Sequence, residues 1–83
     1  MKHFVFYYFM KQEQESIKQY APKHAMYWKG IMKLGGPFAD YSGGVILFKA
    51  MSQEKAEELV KKDPFYKQEL ILQFWIKELL IES

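Results

Sequence analysis

Two stretches of this chain are apolar on both faces of an extended backbone, and they stand near its two ends. Residues 3–10 set Phe4, Phe6, Tyr8 and Met10 against Val5, Tyr7 and Phe9, an aromatic and β-branched content that predicts a strand. Residues 70–81 set Leu70, Leu72, Phe74, Ile76 and Leu80 against Ile71, Trp75, Leu79 and Ile81, with Gln73 and Lys77 among the second set. A strand that is apolar on both sides needs cover on both sides. Any fold for this chain has to provide it.

Between these strands the signals alternate. Lys11 to Lys18 is polar and predicts loop or an irregular helical lead-in. Ala21-Pro22 opens a helix, with Pro22 in its first turn, Ala25, Trp28 and Met32 at helical spacing, and Gly35 as its stop. Residues 36–40 are extended, Tyr41-Ser42-Gly43-Gly44 is turn chemistry, and residues 45–51 form a strand, so 36–51 is a hairpin. Ser52 caps a second helix, with Glu54, Glu57 and Glu58 early and Lys61-Lys62 late; Ala56, Leu59 and Val60 make its buried stripe. Asp63-Pro64 ends it. The expected order is β-α-β-β-α-β, an α+β, ferredoxin-like arrangement in one domain over residues 1–83. Two helices cover only one face of such a sheet. The second apolar face therefore predicts a homodimer packed through the helix-free side.

Composition removes several function classes. Aromatic residues are 18% of the chain, which excludes disorder. No apolar run approaches the roughly 20 residues of a membrane helix. Residues 1–10 are too short for a signal peptide and lack a small-residue cleavage site. With no Cys there is no disulfide, no thiolate nucleophile and no Cys-based zinc site, which suits a reducing cytoplasm. The two His, His3 and His24, are far apart and give no metal-ligand spacing. All twelve basic residues are Lys, so the bidentate arginine contacts of phosphate and base recognition are missing. The strand 44–48 also lacks the basic start and spaced aromatics of an RNA-recognition strand. Nucleic acid is not an expected partner.

The residues able to carry chemistry are few. Asp40 and Asp63 are the only Asp, each at a Gly- or Pro-marked junction, and four of the five Gly flank residues 37–42. Asp40 reads equally as a turn residue, and Asp63 as a helix stop. His24, placed near the start of the Pro22 helix, would be kept neutral by the positive dipole end and so serve as a general base. It also shares a stripe with Tyr27, Trp28 and Ile31, where it would be a boundary core residue. Asp40 could fix its tautomer, and Ser42 could donate a hydrogen bond.

Gly36-Pro37-Phe38-Ala39-Asp40, Ser42-Gly43-Gly44 and Asp63-Pro64-Phe65, preceded by His24 and Tyr27-Trp28, resemble the YCII-related domain family over nearly the whole chain. The resemblance implies a ferredoxin-like fold of the dimeric α/β-barrel superfamily and a His–Asp acid/base dyad, which falls here on His24 and Asp40. Ser42, Trp28, Pro37, Phe38 and Asp63 would accompany it, Asp63 as a pocket or structural residue. Relatives implied by the family include a dehydrochlorinase of a chlorinated hydroxyhydroquinone, and its superfamily holds muconolactone isomerase and small monooxygenases. This chain departs from the family in a shorter stretch between His24 and Gly36, and in ending on Ile76-Lys77-Glu78-Leu79-Leu80 instead of a Pro-aromatic sequence. The expected function is a cofactor-independent elimination or isomerisation of a small cyclic or aromatic compound. A binding or accessory module without turnover is the alternative.

Overall fold

Phe4, Phe6 and Phe48 are wholly withdrawn from solvent, and each such burial contributes about 2–3 kcal/mol. They mark the layer between a sheet and its helices. The computed structural model describes residues 1–82. Its order is β1 (Lys2–Met10), α1 (Gln14–Lys29), β2 (Met32–Pro37), β3 (Gly43–Ala50), α2 (Gln53–Lys61), a single turn α3 (Pro64–Lys67) and β4 (Ile71–Leu79). The four strands form one sheet in the order β2-β3-β1-β4, and every neighbouring pair is antiparallel. This is the α+β, ferredoxin-like arrangement, with α3 added at the Asp63-Pro64 junction.

Register shows which side is covered. Phe4 lies opposite Phe48 and Phe6 opposite Ile46 on the buried side. Trp28 of α1, Ala56 and Val60 of α2 and Phe65 of α3 all join these residues in one core. The odd-numbered set faces away from the helices. There Val5 is opposite Leu47 and Lys77, and Tyr7 is opposite Val45 and Trp75. Tyr7 and Trp75 stack with centroids 5.1 Å apart. Leu34 and Trp75 remain 72% and 37% exposed, so an aromatic and aliphatic surface stands open on that face. One residue of β4 changes side. Register shifts between Phe9 and Met10, bringing Ile71 opposite Met10, where it packs against the core, and leaving Leu72 as the exposed extra residue.

The first helix differs most from expectation. It begins at Gln14, encloses Pro22 and closes on Gly30, so Met32 and Leu34 belong to β2. A single stripe explains it: Ile17, Tyr20, Ala21, Tyr27 and Trp28 pack on the core from well before Pro22. Pro22 sits on the exposed side, where water can serve the carbonyl that its missing N–H leaves free. Continuous burial along the stripe outweighs the cost of one proline. As a result His24 lies in the body of α1 and not at its positive end, and the dipole argument for its neutrality fails. At α2 the expectation holds, with the Ser52 hydroxyl accepting from the Lys55 N–H at 3.2 Å.

Candidate active site

Asp63 is 0% exposed, the only buried charged side chain among the described residues. It caps α3, its Oδ1 accepting from the Phe65 N–H at 2.8 Å. Oδ2 accepts from the Trp28 Nε1–H, also at 2.8 Å. Both oxygens lie 2.9 Å from Nδ1 of His24. Three donors from α1 and α3 thus surround one carboxylate, which is how a buried charge is tolerated. No buried side-chain polar atom among the described residues lacks a partner.

His24 reaches this carboxylate from the middle of α1, one helical turn before Trp28. Its ring stacks on Phe65 at 4.2 Å between centroids, and 14% of the side chain stays exposed. The Tyr8 hydroxyl lies 3.1 Å from Nε2. Burial, and then the charge of Asp63, hold the Tyr8 phenol far above its ordinary pKa, so it keeps its proton. The two ring nitrogens therefore face different partners. A carboxylate only accepts, so in the base form of the ring the proton is assigned to Nδ1, which leaves Nε2 to accept from Tyr8.

A cavity of about 490 Å³ opens beside this cluster. Ile17, Ala21 and Ala25 of α1 line one side, and Met10, Ile46, Gly35, Gly36 and Gly43 line another. His24 and Tyr8 bring its polar atoms, while Trp28, Pro37 and Phe65 supply apolar wall. Tyr41 closes part of the rim from the hairpin loop. No Lys, Asp or Glu is part of the lining. The surroundings suit a small, mostly apolar molecule.

The expected site residues are divided by the structure. His24, Trp28 and Pro37 reach the cavity, and Asp63 holds His24 and Trp28 from behind. The expected His24–Asp40 contact is not formed. Asp40 instead accepts from the Ser42 N–H at 3.0 Å and the Ser42 hydroxyl at 2.7 Å, and these bonds hold its carboxyl below the usual aspartate value. Its Oδ1 accepts both bonds in an Asx turn on the surface, with Tyr41 at φ 60° over the rim. Phe38 packs on Phe9, 5.6 Å between centroids, on the helix-free side of the sheet. Tyr8, Phe65 and Tyr41 were not among the expected residues. Tyr8 had a signal: it alternates with Phe4 and Phe6, and an inward tyrosine needs a partner for its hydroxyl. Among the described residues no cluster of His, Cys, Asp and Glu could hold a metal, and no helix is long and apolar enough to cross a membrane.

Fold and site together define a small ferredoxin-like domain with a histidine–aspartate pair at the wall of an apolar cavity. The chain belongs to the YCII-related domain family, which matches residues 1–79. Among solved structures it is similar to 5-chloro-2-hydroxyhydroquinone dehydrochlorinase from Burkholderia phenoliruptrix AC1100, captured with 2,5-dihydroxybenzoquinone. That similarity has a TM-score of 0.81 at 20% identity, covering 94% of this chain and 93% of the other. A protein from Arabidopsis thaliana is similar at a TM-score of 0.56 and 13% identity, over 100% of this chain and 97% of that one. At these identities the likeness shows the fold. No curated protein matches the sequence.

Proposed function

We propose that this protein is a cofactor-independent acid/base enzyme in which His24, held by Asp63, takes up a proton from a small cyclic or aromatic substrate in the cavity. The observation that carries the reading is a fully buried carboxylate 2.9 Å from Nδ1 of a histidine whose ring lines an apolar cavity. Asp63 sets the tautomer and stabilises the imidazolium that forms, the part that the sequence had assigned to Asp40. Elimination or isomerisation fits this equipment, since both begin with loss of a proton and need no electron carrier. The dehydrochlorinase likeness supports a substrate of the chlorinated hydroxyhydroquinone kind. Asp40 and Ser42 shape the rim through Tyr41, and Phe38 belongs to the open sheet face.

A second reading is a binding module without turnover. It is favoured by the Tyr8 hydroxyl on Nε2, which gives both imidazole nitrogens a partner within the protein. Incubation with 5-chloro-2-hydroxyhydroquinone, followed by chloride release, separates the two. The enzyme releases chloride, and His24→Ala slows this by roughly 10²–10⁴-fold. Thermal stabilisation without chloride release, for this and related hydroquinones, overturns the catalytic reading in favour of the binding module.

The assembly we propose is a homodimer joined through the helix-free sheet face, where Leu34 and Trp75 are exposed beside half-buried Val5, Tyr7 and Leu47. A cytoplasmic setting is consistent with a chain that has no Cys.

A further inference from the structure

The hydrogen bonds around His24 lead one step past the acid/base reading, and the step rests on it. With the ring proton on Nδ1, the lone pair of Nε2 receives the Tyr8 O–H, 3.1 Å away. Among the described residues the Tyr8 hydroxyl has no other hydrogen-bond partner, so its own lone pairs are free while the histidine's is occupied. Both side chains line the cavity.

The phenol is not placed to swing aside. Tyr8 is 4% exposed, and its ring stacks on Phe6 with centroids 4.8 Å apart. Directly across the strand pair stands Gly44. A Cβ there would come within 2.7 Å of the Tyr8 hydroxyl and 2.9 Å of the Gly36 carbonyl oxygen. Absence of a side chain at that position is what lets the hydroxyl occupy its place beside His24.

We infer that the Tyr8 hydroxyl is the group that meets the ligand, an uncharged apolar ring bearing an acidic hydroxyl, and that it relays the ligand's proton to His24. The ligand O–H breaks and its proton passes to the Tyr8 oxygen. The Tyr8 O–H breaks in turn and its proton passes to Nε2. What results is a ligand oxyanion, a neutral Tyr8 and an imidazolium between Tyr8 and the Asp63 carboxylate. Protons and charge balance with no further reactant. The ligand class follows from the lining. Walls of Met10, Ile17, Ala21, Ile46 and Phe65 carry no lysine to meet a carboxylate or phosphate already charged on entry. A phenol or enol enters neutral, and gains its charge as the imidazolium forms beside it.

Two rings of matched size, 4-chlorophenol and 4-chlorotoluene, test this on the wild type and on Tyr8→Phe. Affinities come from calorimetry, and ¹⁵N and ¹³C spectra follow the His24 ring and the Tyr8 Cζ. The wild type should bind the phenol about tenfold more tightly than the toluene, the worth of one hydrogen bond. Tyr8→Phe should bring the two close to parity while toluene binding is unchanged. Adding the phenol to the wild type should shift the Tyr8 Cζ and His24 Nε2 together, Nε2 towards the imidazolium position. A preference that survives Tyr8→Phe, or a displacement of Nε2 with no shift of the Tyr8 Cζ in the wild type, puts the ligand on the imidazole; it overturns the Tyr8 assignment and spares the pocket. If neither ring binds the wild type, the pocket reading fails and Tyr8 with it. Should Tyr8→Phe lose the toluene as well, the wild-type resonances decide.

Discussion

Replacing Asp63 with Asn tests the buried cluster most directly, because it keeps the size of the side chain and changes only what it can accept. Oδ1 now serves the Phe65 N–H and Oδ2 the Trp28 Nε1–H, with His24 Nδ1 shared between them. An asparagine has one acceptor oxygen and one NH₂. Facing the oxygen to Phe65 sets NH₂ against the Trp28 N–H; the flipped amide sets it against the Phe65 N–H. Either orientation leaves one buried donor facing another, a loss of about 1–3 kcal/mol. Two remaining bonds lose their charge assistance, about 1 kcal/mol each. Removing a buried charge returns part of this, about 1–2 kcal/mol. The net expectation for Asp63→Asn is a loss of about 2–3 kcal/mol, a large share of the roughly 4–12 kcal/mol available to 83 residues. With a urea slope near 1 kcal/mol per molar for so small a domain, the midpoint should fall by about 2 M. Asp63→Ala should lose more, since it abandons all three donors. Urea unfolding followed by tryptophan fluorescence reads both variants, Trp28 being in the cluster itself. A shift under about 0.5 M for Asp63→Asn would refute the claim that this carboxylate organises α1 and α3.

Other consequences are open to measurement. Gly44→Ala puts a methyl against the Tyr8 hydroxyl and the Gly36 carbonyl; it should cost about 1–3 kcal/mol in urea unfolding, and an unchanged midpoint refutes the close approach. Charging the open sheet face with Trp75→Lys should convert a dimer to monomers in light scattering; a wild type that is monomeric at tens of micromolar refutes the proposed interface. Asp40→Asn should leave the unfolding midpoint where it is, since the carboxylate is on the surface, and a marked drop would show that Asp40 has a buried partner. The Asp40 carboxyl is held below 3.8 by its bonds from Ser42, so the turn is intact above that pH and loosens as acid protonates it. The Ser42 amide resonance should follow with a midpoint below 3.8, and a midpoint above that value refutes the bonding.

Local pattern was enough for the element order, because it depends only on neighbours in sequence. The alternation in residues 3–10 specifies a strand, Ser52 with its following glutamates specifies a helix start, and the glycines before Val45 specify a hairpin. The two-faced apolar character of the end strands likewise implied a sheet with one side left uncovered, since face assignment follows from a period of two. These features need no knowledge of what lies across the fold. Where propensity and burial disagree, the pattern misleads. Pro22 reads as a helix start, yet the stripe from Ile17 to Trp28 carries α1 through it.

Most of the site's residues were legible, but not the pairing within it. Asp40 and Asp63 present the same signal, an acidic residue at a turn, and it was the family resemblance that placed the partner of His24 at Asp40. Tertiary packing decides otherwise. The return of the chain through α2 brings residue 63 beneath α1, where the Trp28 and His24 donors and the start of α3 can hold a carboxylate away from water. Asp40, exposed at the hairpin tip, already has Ser42 as its donor. A carboxylate's role is set by which donors converge on it and how far water is excluded, and both are properties of elements distant in sequence that meet only when the sheet closes under its helices.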